Sequence, residues 1–331
     1  MTVFSHGFGH FHPGNEITNQ FLEDLDIGTD EQWIMERVGI RSRRTVMPLD
    51  YIRETQNVEP RAAMDAAEYT NAQMGARAAE LAISRAGIDK SQIGMVIGGT
   101  SATDTATPAE ACNISRVLEL EVPSFDVISA CTSFYVQLYL LSLMQPDKLP
   151  DYVLLVATDA ITKTVDYRDR AAAVLWGDGA AAAVVSTRHP SRARILGNTL
   201  DGSPAGNEKV VVPRLGHFRQ DGRTVQVFGI KRMTRLVGNL QAEFEHPDRH
   251  FNFVGHQANK RMLDSVVNHC NIPNDRHHSN VEWFGNTGSA SSASVISMLW
   301  EKWTDIDDVA VVGVGAGLAW SGYLLRFGED S

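Results

Sequence analysis

The chain has few cysteines, with only Cys112, Cys131 and Cys270 among 331 residues. A small, odd number of cysteines cannot supply a disulfide framework, so we expect free thiols and a reducing cytoplasmic location. Long uninterrupted apolar runs are also missing, and no membrane-spanning segment is expected. The first residues lack the basic start and continuous apolar core of a secretory signal.

Basic residues are outnumbered as well, because 30 Lys and Arg face 40 Asp and Glu, for a net charge of -10. This charge argues against nucleic acid or an anionic membrane as the main partner. An acidic partner would need a local basic patch. The hydrophobic content of 43% is ordinary for a soluble protein, and the length suffices for one large α/β unit or two fused halves.

Apolar strand patterns alternate with helical patterns in both halves of the chain, which predicts sheets covered by helices. The segment IGMVIGGTS also resembles FNFVGHQAN, since each is a strand that runs into a loop of small residues. We therefore predict an α/β fold of two related halves, 1–187 and 188–331, with a site at their interface. The main predicted helices span 29–39, 64–86, 108–120, 225–244, 259–270 and 292–303, and the main predicted strands span 93–100, 152–158, 251–255, 281–284, 309–314 and 322–327.

Cys131 lies in the sequence PSFDVISACTSFYVQLYLLSLM, where a strand pattern changes to a helical one. At such a junction the free N–H groups and the dipole of the first helical turn stabilise a thiolate. One interpretation of this position is therefore a nucleophilic cysteine. The alternative is a small buried side chain, which is what a free cysteine usually is.

His256 and Asn286 also follow predicted strands, in VGHQAN and FGNTGSAS. Together with Cys131 they make a Cys/His/Asn set that can form and use a thiolate nucleophile. Taken alone, His256 could be a satisfied structural histidine and Asn286 a turn residue. The shared position after buried strands favours one site.

Two further patterns suggest ligand binding. GVGAGLAW, residues 313–320, follows a strand, but too little chain remains for a dinucleotide-binding unit. Its small residues instead suit close backbone approach to a ligand and N–H groups for an oxyanion. The cluster of His6, His10 and His12 lies in a Gly-rich start that we expect to be mobile, so no metal site is predicted there.

Several motifs, in the same order along nearly the whole chain, resemble those of the β-ketoacyl-acyl-carrier-protein synthase III family of the thiolase superfamily. H-Q-A-N, G-N-T and the cysteine loop form a specific combination. The matching segments are Trp33-Ile34 with Arg37 and Gly39-Ile40-Arg41, Ala130-Cys131 with Phe134, Asp169-Arg170, Gly177-Asp178-Gly179, His256 to Asn259, Gly285-Asn286-Thr287 and Gly313 to Trp320.

The resemblance implies a five-layered αβαβα thiolase fold, a homodimer and a Claisen condensation without a bound cofactor. Cys131 would take an acyl group from coenzyme A or a carrier protein. His256 and Asn286 would hydrogen-bond the thioester oxygen of a malonyl-type extender. Backbone N–H groups of Cys131 and Ala316 would hold the oxyanion of acyl transfer.

The resemblance also implies binding residues. Trp33, Arg37 and Arg170 match positions that contact the adenine nucleotide end of coenzyme A. The family's acidic partner is the acyl carrier protein, and a basic patch for it is expected from four residues that could equally be solvated helix surface. These are Arg232, Arg235, Lys260 and Arg261.

The sequence departs from the family pattern at Ser133 beside the nucleophile, at Gly255 before the histidine, and at Arg223 and Val227 near the expected pantetheine and docking positions. These departures favour a specialised ketosynthase of polyketide or secondary-lipid biosynthesis. The alternatives are a housekeeping synthase that starts fatty-acid synthesis and a non-catalytic acyl-binding subunit. A biosynthetic thiolase is disfavoured, because the closing glycine loop lacks a second cysteine.

Overall fold

Strands and helices alternate through residues 2–214 and 216–328, which the computed structural model describes. The strands are Val3–Phe11 (β1), Asn15–Thr18 (β2), Ser42–Thr45 (β3), Ile93–Gly99 (β4), Ser124–Asp126 (β5), Tyr152–Asp159 (β6), Gly179–Ser186 (β7), Ala193–Gly202 (β8), Val210–Val211 (β9), Arg219–Gln220 (β10), His250–Gly255 (β11), Asp307–Gly315 (β12) and Ala319–Phe327 (β13). The α-helices are Asn19–Asp24 (α1), Glu31–Arg37 (α2), Leu49–Thr55 (α3), Ala62–Ala66 (α4), Asn71–Ala86 (α5), Glu110–Val117 (α6), Ser133–Leu143 (α7), Arg170–Ala173 (α8), Gly222–Phe244 (α9), Lys260–His269 (α10), Val281–Phe284 (α11) and Ser291–Met298 (α12).

The main element of the fold is one large sheet with the strand order β11-β12-β13-β8-β1-β7-β6-β4-β5. β1 pairs with β7 along nearly its whole length, but with β8 only through Val3, Phe4 and Ser5. This short junction divides the sheet into a first arm (β1, β4 to β7) and a second arm (β8, β11 to β13). The proposed division at residue 187 lies between β7 and β8 and stays a prediction.

The two arms enclose a central helical layer. α7 contacts β4 and β6 of the first arm and β8 and β13 of the second, and α12 contacts β1 and β7 as well as β11 and β12. α5 and α6 cover the outer face of the first arm, and α9 and α10 cover that of the second. The predicted αβαβα layering is thereby confirmed. None of the helices in the described part of the chain is long and apolar enough to cross a membrane.

Alternate residues of the central strands pack in different layers. In β12, Val309 and Val311 belong to the cluster around α7 and α12, whereas Ala310 and Val312 belong to the outer cluster. Both faces of the strand are therefore buried. This explains why the strands read as continuous apolar runs and not as polar-apolar alternation.

The expectation of a mobile N-terminus is wrong, because β1 is a central strand. Its Gly7 and Gly9 lie against the backbone of α5, and a Cβ on Gly9 would stand 1.9 Å from the carbonyl oxygen of Ala78. His10 and Ser297 share a 2.8 Å hydrogen bond, and His12 bonds the Asp178 carbonyl. No group of three or more His, Cys, Asp or Glu within the described ranges could hold a metal ion.

Two predicted elements also differ. The helix expected over 64–86 is two helices, because Thr70 begins α5 with a capping box to Gln73 and interrupts the Ala-rich pattern. The strand expected at 281–284 is the short helix α11, which ends at Gly285 with φ +69°. Four apolar or aromatic residues fit either structure, so periodicity alone could not separate them.

We expect Gly9→Ala to lower the free energy of unfolding by about 1–3 kcal/mol, because the added methyl overlaps the backbone of α5 and cannot be relieved by a side-chain rotation. The matched control is Gly14→Ala, where a Cβ would meet no atom within 4 Å. Chemical denaturation of the two variants and the parent checks this. Equal midpoints for all three would contradict the packing of β1 on α5.

Candidate active site

Cys131 lies in the 3-10 turn Ala130–Thr132, which leads directly into α7. Ala130 has φ +47°, a conformation that costs a non-glycine residue energy. Hydroxyl groups hold this turn: Thr132 Oγ1 donates to the Ser129 carbonyl at 2.7 Å, and Ser133 Oγ accepts from Ser129 N–H at 2.9 Å and donates to the Ala130 carbonyl at 2.7 Å. Ser133, a departure from the family pattern, thus secures the nucleophile loop.

The Cys131 thiol is 8% exposed, and its pKa is raised to about 12, first by burial and then by the nearby carboxylate of Asp159. Burial thus opposes the thiolate that the N–H groups of the first helical turn favour, and the expectation of a stabilised thiolate stays a prediction. A base must remove the proton when the sulfur reacts.

His256 follows β11, and its backbone N–H donates a hydrogen bond to the Val312 carbonyl at 2.8 Å. Its Nδ1 lies 2.8 Å from Ser291 Oγ, which leaves Nε2 for the reaction. Burial lowers the pKa of His256 to about 4, so the imidazole is neutral at pH 7 and can accept a proton. The residue before it, Gly255, has no room for a side chain, because a Cβ there would lie 2.5 Å from the Leu263 side chain.

Asn286 is fixed by its backbone and by its side chain. Its N–H donates to the Leu175 carbonyl at 2.8 Å, and its Oδ1 accepts from Gly288 N–H at 3.0 Å. Because the amide oxygen is occupied, the Nδ2 group is the part left to donate to a ligand. The turn needs glycine at Gly288, which has φ +56°.

One cavity of about 320 Å³ brings Cys131, His256 and Asn286 together, as the sequence predicted. Gly315 and Ala316 of the closing loop line it too. A Cβ on Gly315 would lie 3.3 Å from the backbone nitrogen of Cys131, so the loop lies directly against the nucleophile. This places backbone groups of both segments where an oxyanion would form.

The three predicted nucleotide-binding residues lie together, and two of them line this cavity. Trp33 and Arg37 line it, and the guanidinium of Arg37 lies 5.4 Å from the Trp33 ring centroid. The guanidinium of Arg170 lies 4.7 Å from the same ring and donates to the Gly28 carbonyl. An aromatic ring between two cations suits stacking on a base and pairing with phosphates.

The four predicted docking residues do not form one free patch. Arg232 lies 4.1 Å from the Trp320 ring centroid, Lys260 forms an ion pair on its own helix with Asp264, and Arg261 donates to the carbonyl of residue 35. Arg235 alone of the four is exposed without such an interaction among the residues described. Helical spacing could not show these contacts, because their partners come from other segments.

A cysteine, a neutral histidine and an asparagine around a cavity, inside a five-layered αβαβα fold, define the class as an acyltransferase. Models of 3-oxoacyl-[acyl-carrier-protein (ACP)] synthase III match residues 125–203 and, for its C-terminal part, 247–327. The β-ketoacyl-[acyl-carrier-protein] synthase III of Syntrophomonas wolfei is 32% identical over 353 residues, which covers 100% of this chain and 99% of that protein. The chain belongs to the β-ketoacyl-acyl-carrier-protein synthase III family and is a condensing acyltransferase.

Solved structures agree with this membership. The 3-oxoacyl-[acyl-carrier-protein] synthase III of Aquifex aeolicus superposes with a TM-score of 0.86 at 26% identity, covering 98% of this chain and 100% of that one. The priming β-ketosynthase of the R1128 polyketide pathway superposes with a TM-score of 0.79 at 27% identity, covering 99% and 97%. The fold is thus shared by a protein named as a 3-oxoacyl-[acyl-carrier-protein] synthase III and by one named for a polyketide pathway.

Sequence reasoning missed Ser291, although it lies in the serine-rich stretch after G-N-T. We expect Ser291→Ala to reduce condensation about three- to tenfold, since the loss of one hydrogen bond leaves His256 less well oriented. Acylation and condensation rates should be measured separately, with Ser265→Ala, on the outer surface of α10, as control. Unchanged condensation in Ser291→Ala would show that Nδ1 needs no partner.

Proposed function

We propose that this protein loads an acyl group onto Cys131 and condenses it with a malonyl-type thioester on a carrier protein. The observation that carries the proposal is the convergence of Cys131, His256 and Asn286 on one cavity, with His256 Nδ1 and Asn286 Oδ1 already engaged. The remaining imidazole nitrogen and the amide Nδ2 are then the groups available to substrate.

In the acylation half-reaction, His256 takes the thiol proton as the Cys131 sulfur attacks the carbonyl carbon of the donor thioester. The backbone N–H groups of Cys131 and Ala316 hold the oxyanion, the carbon–sulfur bond to the donor breaks, and the leaving thiolate receives the proton from His256. A serine hydroxyl both donates and accepts. Ser291 can therefore support either tautomer of His256 during this transfer.

In the condensation half-reaction, His256 and Asn286 donate hydrogen bonds to the thioester oxygen of the extender and stabilise the enolate formed as CO₂ leaves. The enolate carbon attacks the acyl carbonyl on Cys131. The bond to the Cys131 sulfur then breaks, which releases a 3-oxoacyl thioester and a thiolate that regains one proton. His256 must be neutral but protonated on Nε2 here, which its lowered pKa of about 4 permits at pH 7.

We further propose a specialised role in polyketide or secondary-lipid synthesis, with entry into fatty-acid synthesis as the second candidate. The first is supported by α9, where Arg223 and Val227 are exposed in place of the expected amide and basic residue. The second is supported by the relatives, which are named as β-ketoacyl-[acyl-carrier-protein] synthases III. The acyl donor that Cys131 accepts separates the two roles, and the homodimer stays a prediction.

The carrier protein would dock on the exposed stripe of α9 formed by Arg223, Val227, Lys231 and Arg235, which we call the α9 stripe. Neighbouring residues of the same helix, Val225 and others, line the cavity, so the stripe lies beside its entrance. Val227 is 64% exposed between cationic side chains. An apolar contact flanked by positive charges suits an acidic carrier protein.

We expect intact-protein mass spectrometry to show one acyl addition on the parent protein after incubation with an acyl-coenzyme A or acyl-carrier donor, and none on Cys131→Ala. His256→Ala and Asn286→Ala should lose condensation by on the order of a hundredfold, because each removes a donor to the enolate oxygen. Asn286→Ala should still acylate.

A series of donors from acetyl to long-chain acyl thioesters serves as the comparison within this assay. Preference for acetyl would favour entry into fatty-acid synthesis, and preference for longer or substituted acyl groups would favour the specialised role. Equal labelling of Cys131→Ala and the parent would disprove the nucleophile, and normal condensation by Asn286→Ala would disprove the decarboxylative step.

For the α9 stripe, we expect the double change Lys231→Glu and Arg235→Glu to raise the KM for a carrier-bound extender about three- to tenfold, since it reverses charges at the docking edge. The rate of acylation by an acyl-coenzyme A should stay the same. The double change Arg116→Glu and Lys148→Glu, at exposed positions outside α9, reverses the same number of charges and is the control for net charge. Equal KM values for both variants would place the carrier elsewhere.

A further inference from the structure

A second cavity of about 320 Å³ shares no lining residue with the cavity around Cys131. We call it the Lys163 cavity. Its charged lining residues are Arg61, Asp104, Lys163 and Arg214, which are three cations and one anion in a chain whose net charge is -10. This local excess of positive charge suits an anionic ligand.

Lys163 is a buried cation with donors to spare. It is 4% exposed and forms an ion pair with Asp104. The Asp104 carboxylate is itself fixed by Asn71, whose backbone N–H donates to Oδ2 at 2.7 Å and whose Nδ2 donates to Oδ1 at 3.1 Å. An ammonium has three N–H donors, and Asp104 is the one side-chain acceptor that the described residues offer it. Since buried donors without acceptors cost free energy, a ligand oxygen in the cavity would stabilise this ammonium.

Arg61 and Arg214 add two guanidinium groups to the wall of the Lys163 cavity, and both residues are exposed. Within residues 2–214 and 216–328, neither guanidinium forms an ion pair or a hydrogen bond. Both are therefore available to a carboxylate, whose two oxygens match the planar fork of a guanidinium. Apolar residues, among them Met64 and Val212, line the same cavity and suit a short carbon chain.

The Lys163 cavity adjoins the nucleophile through Ser101, which lines it just after β4. A Cβ on Gly99, the last residue of β4, would stand 2.7 Å from Ser133 Cβ, so the end of this strand packs against the nucleophile loop. Burial raises the pKa of the Cys131 thiol, and a hydrogen bond with the Ser101 side chain opposes this rise. The Ser101 hydroxyl therefore lies beside the sulfur.

Two further contacts join the walls of the two cavities. Asp159 Oδ1 accepts from Ser101 N–H at 2.5 Å, and its Oδ2 accepts from Ser289 N–H at 2.6 Å, in the turn after Asn286. The segment 210–220 also belongs to both cavities, because Val210 lines the first and Arg214 lines the second. An acyl group on Cys131 can thus extend past Ser101 into the Lys163 cavity.

We propose that the Lys163 cavity binds the far end of the acyl group on Cys131 and that this end is a carboxylate, so that the donor is a monothioester of a short dicarboxylic acid. The inference rests on the proposed role of Cys131 as acyl acceptor. The far carboxylate is unchanged in the reaction: the Cys131 sulfur bonds to the donor carbonyl carbon, the carbon–sulfur bond of the donor breaks, and the thiol proton passes through His256 to the leaving thiolate.

The test compares two coenzyme A thioesters as donors, glutaryl and valeryl, which have the same carbon chain and differ in whether it ends in a carboxylate or a methyl group. Acylation of Cys131 is followed over time by intact-protein mass spectrometry. We expect the parent to react about tenfold faster with glutaryl than with valeryl at equal concentrations, because the carboxylate gains charge-assisted hydrogen bonds.

The double change Arg61→Gln and Arg214→Gln should abolish most of this preference and leave the valeryl rate unchanged. Its matched control is Arg116→Gln with Lys148→Gln, which removes two charges at exposed positions outside the cavity. Lys163→Met should lose the preference as well, and the arginine variant covers the case that Lys163→Met does not fold. Equal rates for the two donors in the parent, or an unchanged preference in the arginine variant, would overturn the proposal.

A binding measurement needs no acylation. Calorimetric titration of Cys131→Ala with glutaryl-coenzyme A and valeryl-coenzyme A should give a lower Kd for glutaryl, and equal Kd values would overturn the proposal. Free glutarate and inorganic phosphate are the further probes: if either raises the Tm of the parent while the two thioesters bind equally, the cavity holds a free anion and no acyl chain. Absence of acylation by every donor would count against the proposed function alone.

Discussion

A hydrogen bond between two buried hydroxyl groups, Tyr135 of α7 and Ser292 of α12, joins the helices on which the rest of the structure depends. The two oxygens lie 2.5 Å apart in the layer between the arms of the sheet. Ser292 also donates to the Gly255 carbonyl at the end of β11, and a Cβ on Gly313 of β12 would overlap the Tyr135 ring. Neither arm can shift without disturbing this contact.

The position of the active site follows from this central layer. A buried helix must have its first N–H groups satisfied, so the chain enters both α7 and α12 through tight polar turns. Cys131 lies in the turn before α7, Asn286 lies just before the turn that leads into α12, and His256 follows the end of β11. Before α7, Thr132 Oγ1 donates to the Ser129 carbonyl and Ser133 Oγ donates to the Ala130 carbonyl, which fixes the turn. Before α12, Gly288 N–H donates to Asn286 Oδ1 and Ser289 N–H donates to Asp159 Oδ2. The polar groups that stabilise the fold thus also hold the catalytic groups.

Buried charge completes the arrangement. Burial raises the pKa of the Cys131 thiol and lowers that of the His256 imidazole, so both are neutral in the resting site, and it also raises the pKa of Asp159 against the opposing effect of the hydrogen bonds that this carboxyl accepts. The low dielectric around these groups raises the energetic cost of any extra charge. Proton transfer therefore awaits a substrate that gains the negative charge at a prepared oxyanion position.

The sequence by itself determined the layered α/β class, the buried strands and the Cys/His/Asn set, because local periodicity and motif chemistry need only neighbouring residues. It misjudged β1, since the alternating glycines that let this strand lie on α5 look like a flexible start. It also treated 281–284 as a strand. Only the tertiary structure decided that Ser291 orients His256, that Asp159 accepts hydrogen bonds from Ser101 and Ser289, and that Arg232 packs on Trp320. These facts depend on contacts and desolvation between residues far apart in the chain, which no local pattern records.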